Sequence, residues 1–171
     1  HEELECLVCL EKQRRELSEG MQGRLLAILE RTTDYIAMAD SAGSMVYLNP
    51  AGRELLGLGV DDDISHVKLG QHAADSEVRQ RLWGEAIPSA ISSGLWTGES
   101  RLRNNAGREI HASQVIIAHR GDSGAIEHFS PILRDTTDQV RTAQALRESR
   151  DELQRLSALL VTVQEDERRR I

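Results

Sequence analysis

Cys6 and Cys9 form a C-x-x-C arrangement, a spacing that suits a redox dithiol or half of a four-thiolate zinc site. The chain has no second cysteine pair, so a zinc site would need two copies side by side. The plainer reading, two small apolar residues in a helical seam, is preferred. Of the six histidines, His66 and His72 fall in a polar stretch, and His111, His119 and His128 lie in strand-like runs at outward or rim positions. The last three show no metal-ligand spacing. There is no nucleophile–base pair, phosphate-cradling loop or metal triad, so the expectation is a binding or signalling module with no catalytic residue of its own.

The elements that would position such a module divide into three zones. Residues 1–31 are helix-like, with Leu7, Leu10, Leu17, Met21 and Ile28 at helical spacing. Arg14 and Arg24 interrupt that seam. Residues 32–137 read as an α+β domain with a five-stranded antiparallel sheet. Two short apolar runs flank the turn Asp40 to Ser44, and Asn49-Pro50 then opens a helix as N-cap and first helical residue. A polar connector starting at Asp61 leads to a helix over 76–92 that Pro88 should kink or divide. Strands are expected over 95–103, 108–119 and 125–134. Residues 138–171 are helical again. Leu146, Leu153 and Leu160 take one heptad position, and Leu156 and Val163 the other.

Composition bounds the function. At 39% hydrophobic and 29% charged, the 171 residues suit one soluble domain with extensions. A net charge of −7 with no basic face argues against direct nucleic-acid binding. No apolar run is long enough to span a bilayer and no signal peptide is present. Two cysteines make no disulfide framework, so a cytoplasmic location is expected, with any membrane anchor elsewhere in a longer parent. A start at His1 and a stop at Ile171, inside a charged helical stretch, suggest a fragment of such a parent.

The middle zone resembles a PAS domain. The resemblance is carried by Asp40-x-x-Gly43, Tyr47-x-Asn49-Pro50-Ala51, Leu55-x-Gly57, Trp96-x-Gly98-Glu99 and Phe129 to Arg134-Asp135-Thr136-Thr137, in that order over roughly a hundred residues. The tail from Leu156 to Ile171, with Val163-Gln164-Glu165 and Glu167-Arg168-Arg169-Arg170-Ile171, resembles the entry into the dimerisation and phosphoacceptor helix of histidine kinases that partner NarL-type regulators. Together these imply a sensor segment of a two-component kinase. The parent would be an ATP-dependent protein-histidine kinase with a cognate response regulator.

The PAS resemblance implies a pocket beneath the sheet. Met38, Leu82, Trp83, Ile110, Ala112, Gln114, Phe129 and Leu133 are its expected walls, with Gln114 the one amide. Scarce aromatics, 3% of the chain, make those walls mainly aliphatic. Covalent flavin photochemistry needs a cysteine that light-sensing relatives carry before the long helix, and both cysteines lie outside the domain. Non-covalent flavin and haem stay open as alternatives. Trp83 is a candidate ring-stacking residue. Oxygen-sensing relatives carry their haem histidine in the long helix; 76–92 contains none, and His66 and His72, just before it, are the candidate haem ligands that the resemblance leaves. No cofactor is evident, and a small-molecule ligand or a filled core fits equally. The expected mechanism is a homodimer joined along Leu146, Leu153, Leu156, Leu160 and Val163, with Arg134, Asp135, Thr136 and Thr137 passing the signal to the exit helix.

Overall fold

The computed structural model describes residues 20–169. The chain divides into two units after Arg134. In chain order the first holds helix α1 (20–31), strands β1 (Tyr35–Asp40) and β2 (Met45–Leu48), and helices α2 (Pro50–Leu56) and α3 (Ser76–Arg81). A π-helical turn (Leu82–Ala86), α4 (Ile87–Ser93), β3 (Leu95–Arg103), β4 (Glu109–Arg120) and β5 (Ile126–Asp135) follow. The strands form one antiparallel sheet in the order β2-β1-β5-β4-β3.

Local chemistry explains the first hairpin. The Asp40 carboxylate accepts the amides of Ala42 and Ser44 at 3.0 and 2.8 Å, which closes the turn. Gly43 takes φ of 80°, open to glycine without strain. Next, Asn49 is fully buried and makes four hydrogen bonds. Its Oδ1 accepts from the amides of Ile36 and Gly52, both at 2.9 Å, and its Nδ2 donates to the carbonyls of Leu29 and Asp34 at 3.1 and 2.9 Å. One side chain thus caps α2 and holds the end of α1 against the start of β1.

The helix expected over 76–92 is divided upstream of Pro88. Asp75 caps α3 by accepting from the Val78 amide at 2.9 Å. The Ile87 amide then bonds back to the Leu82 carbonyl, five residues earlier, which makes the π turn. Pro88 has no amide to donate, and its ring would crowd the carbonyl of Gly84 in a regular helix; the widened turn relieves that. Gly94, at φ 84°, ends α4.

The connector between α2 and α3, expected to be merely polar, carries Val67, Leu69 and Ala74 into the core. It also hydrogen-bonds to both outer strands. The Met45 amide donates to Val67 and the Leu69 amide to Gly43, at 3.0 and 2.8 Å. On the far edge, Ala74 donates to Arg101 and Arg103 to His72, at 2.9 and 2.8 Å. The connector therefore spans the open side of the curved sheet.

The second unit is α5, Thr137–Arg169, 33 residues long. Asp135 Oδ1 accepts from the Thr137 amide at 2.8 Å, and Asp138 in the first turn and Arg168 and Arg169 in the last suit the helix dipole. No helix among the described residues is long and apolar enough to cross a membrane.

Candidate functional site: an interior cavity

Alternation along β4 points Ile110, Ala112, Gln114 and Ile116 inward, and all four are buried. Opposite them on β3 stand Leu102, Ser100, Gly98 and Trp96. Gly98 faces Gln114, and the Trp96 indole lies across it: a Cβ on Gly98 would sit 2.4 Å from the ring. On β5, Phe129 and Leu133 are buried beside β1, paired with Ala39 and Tyr35.

These strands, the π turn and the connector line a partly open cavity of about 40 Å³. Leu56, Leu69, Leu82, Leu102 and Leu133 make its apolar wall, and Tyr35, Gln114 and Ser100 bring polar groups to it. Tyr35 and Gln114 are 5% and 6% exposed. Neither side chain has a hydrogen-bond partner among the described residues, yet no buried polar atom there is sealed away without one. The Tyr35 hydroxyl and the Gln114 amide therefore open onto the cavity. Burial pushes the Tyr35 pKa far above its ordinary value, so the hydroxyl stays neutral.

Of the expected wall residues, Leu82, Gln114 and Leu133 line the cavity. Ile110, Ala112 and Phe129 are buried in the core but do not reach it. Two further placements also differ from expectation, and these side chains are not in the core. Met38 is 36% exposed, because Tyr35, Ala37 and Ala39 take the inward positions of β1 and leave Met38 on the other face. Trp83 is 44% exposed, because Leu82 turns inward at the π turn and the indole lies outside over Gly43 and Gly70. The sequence reading missed Tyr35, Ser100 and the connector's Leu69. An aromatic opening a strand, one register step from the Asn49 cap, was the available signal for Tyr35.

A space this small holds neither an isoalloxazine nor a porphyrin. Trp83, the candidate stacking residue, faces away from it. His72 borders the cavity, but its Nδ1 lies 3.2 Å from the Arg103 carbonyl, and His66 is exposed. The residues present do not fit either group. Among the described residues no cluster of three His, Cys, Asp or Glu is placed to hold a metal; Cys6 and Cys9 lie outside them.

Among the expected relay residues, Arg134 pairs with Asp34 through two hydrogen bonds, Asp135 caps Thr137, and the Thr136 carbonyl accepts the Val140 amide at 3.0 Å. Along α5, Leu146, Leu153, Leu156, Leu160 and Val163 are all exposed, as are Leu159 and Val161.

No family model and no curated protein matches the chain. Solved structures do. The PAS domain of a protein from Colwellia psychrerythraea superposes with a TM-score of 0.63 at 19% identity, over 69% of this chain and 98% of that one. A sensory box histidine kinase/response regulator from Burkholderia thailandensis gives 0.60 at 21%, over 77% and 98%. An RNA-binding light-oxygen-voltage receptor gives 0.60 at 23%, over 76% of this chain and 37% of that one. The fold is the PAS fold. These neighbours sit on different outputs, so the fold alone does not choose among them.

Proposed function

We propose that the chain is the sensory and dimerisation module of a two-component histidine kinase, relaying a signal through α5 to a kinase core. The observation that carries this reading is the apolar row on α5. Five aliphatic side chains at heptad positions stand exposed along a single 33-residue helix. Such a row loses its cost in water only against a partner, and a second copy of the same helix supplies a matching row. The charged Gln164 to Ile171 stretch that follows resembles the start of a phosphoacceptor helix. A kinase fits that continuation better than the other outputs on which PAS domains occur, and the presence of sensor histidine kinases among the structural neighbours is consistent with it.

Static light scattering tests the dimer. A mass of twice 19.1 kDa is expected for the chain, falling to a single chain for Leu153→Asp/Leu160→Asp. The relay is tested by joining a kinase core after α5 and measuring autophosphorylation. One-residue insertions in α5 should change the output, and seven-residue insertions should restore it. A monomer in the first test, or output indifferent to the register in the second, would overturn the reading.

A further inference from the structure

The cavity carries more than a place for a ligand: it carries the ligand's chemistry. Its volume is 40 Å³. A single water needs about 10–15 Å³, so the space admits only a few non-hydrogen atoms, on the order of three or four. The inward polar groups are the Tyr35 hydroxyl, which donates or accepts, and the Gln114 amide, which does both. Both are nine-tenths buried or more, and neither has a partner among the described residues. Waters alone fit the site poorly. Each buried water needs two to four polar partners, and much of the wall is leucine.

An ion is disfavoured on the same geometry. Besides the neutral Tyr35, the titratable groups at the wall are Lys68 and His72, and both are engaged. Lys68 Nζ donates to Ser44 Oγ, and the His72 ring sits at the Arg103 carbonyl. The nearby Asp40 carboxylate already balances the Lys68 ammonium, so an ion in the cavity would be desolvated with no counter-charge left free for it, which is costly.

We infer that the cavity binds an uncharged molecule of about three or four heavy atoms, a small amide or alcohol, whose polar end meets Tyr35 and Gln114 and whose apolar end lies against Leu82 and Leu133. The inference rests on reading the domain as a sensory module. It adds that the signal is a small neutral solute and not a chromophore. A ligand of this size binds weakly, in the micromolar to millimolar range.

Acetamide and its anionic isostere acetate separate the cases. Amide-resolved NMR of the labelled chain is followed as each is added. Acetamide should give saturable shifts confined to the start of β1, the π turn, β4, β5 and the connector, and acetate should give none. Gln114→Leu and Tyr35→Phe should each weaken acetamide binding at least about tenfold while the spectrum stays folded. If Tyr35→Phe does not fold, Gln114→Leu alone makes the comparison. Shifts that never saturate, that acetate reproduces, or that neither substitution weakens would overturn the inference, leaving water as the occupant. The relay reading fails separately. A monomer that binds acetamide keeps the inference and loses the relay, and a dimer that ignores acetamide does the reverse.

Discussion

The guanidinium of Arg134 donates to both carboxylate oxygens of Asp34, at 2.7 and 3.1 Å, across 100 residues of sequence. Asp34 stands just before β1, and Arg134 is the next-to-last residue of β5. The Asp34 carbonyl also accepts from Asn49, which holds the Leu29 carbonyl of α1. Arg134, Asp34, Asn49 and the end of α1 thus form one hydrogen-bonded chain. Arg134→Lys keeps the charge but cannot reproduce the two-pronged bond. The urea midpoint should fall slightly, and by less at high salt, because the pair is partly exposed and screened. A midpoint that is unchanged at low salt would show that the pair adds nothing to stability.

Asn49 is the costliest polar side chain to remove. Asn49→Ala takes away a helix cap and leaves the half-buried Ile36 amide and the Asp34 carbonyl short of partners. A loss of about 3–5 kcal/mol is expected from urea unfolding. Asn49→Asp should fare no better, because a carboxylate would face the two carbonyl oxygens that the amide now satisfies.

Gly98→Ala should act through Trp96. The added Cβ would meet the indole at 2.4 Å, and the ring is the end of a side chain that can swing away. Trp96 should become more exposed, with red-shifted fluorescence relative to a Trp83→Phe background, at a cost of about 1–3 kcal/mol. An unshifted spectrum would place the ring elsewhere.

The two tyrosines set an alkaline limit. Burial raises the Tyr35 pKa; partial burial, and then the neighbouring Glu30 charge, raise that of Tyr47. Folding therefore favours the protonated forms. Their contribution to stability is complete below the unfolded value of about 10 and is lost as the pH rises above it. Tyrosinate absorbance should lag behind that of the unfolded chain near that pH, then appear together with the loss of circular dichroism. On the acid side, the Val78 amide, and then Arg101, lower the Asp75 pKa. The stability from that carboxylate is present above about pH 4 and is lost as the pH falls through the lowered value.

Charge placed on α5 should act on association and not on folding. Leu156→Glu is expected to lower the mass in light scattering and to leave the PAS unit's thermal transition unchanged. Coincident loss of both would mean that the two units fold only together.

Turns and caps were legible in the sequence because single residues encode them. Asn49-Pro50 could do little but start a helix, and Gly43, Gly57 and Gly94 mark chain reversals that require positive φ. Strand alternation was equally plain on β4, where the apolar parity is unmistakable. On β1 both parities are apolar, Tyr35-Ala37-Ala39 against Ile36-Met38, and only the pairing with β5 decides which faces inward. That ambiguity misplaced Met38 and hid Tyr35. The connector was opaque for another reason. Its buried Val67 and Leu69 are separated by Lys68, so too few residues alternate to register as a strand.

The connector's hold on the sheet has a kinetic consequence. It is fastened by isolated pairs of backbone bonds at two edges, whereas β3 and β4 are joined along a nine-residue ladder. Releasing it breaks four amide bonds, those of Met45, Leu69, Ala74 and Arg103, and uncovers the cavity without disturbing the strands beneath. Those four amides should exchange with deuterated solvent together and ahead of the β4 amides, as one small opening unit. The rate of that opening would set how fast any solute enters or leaves.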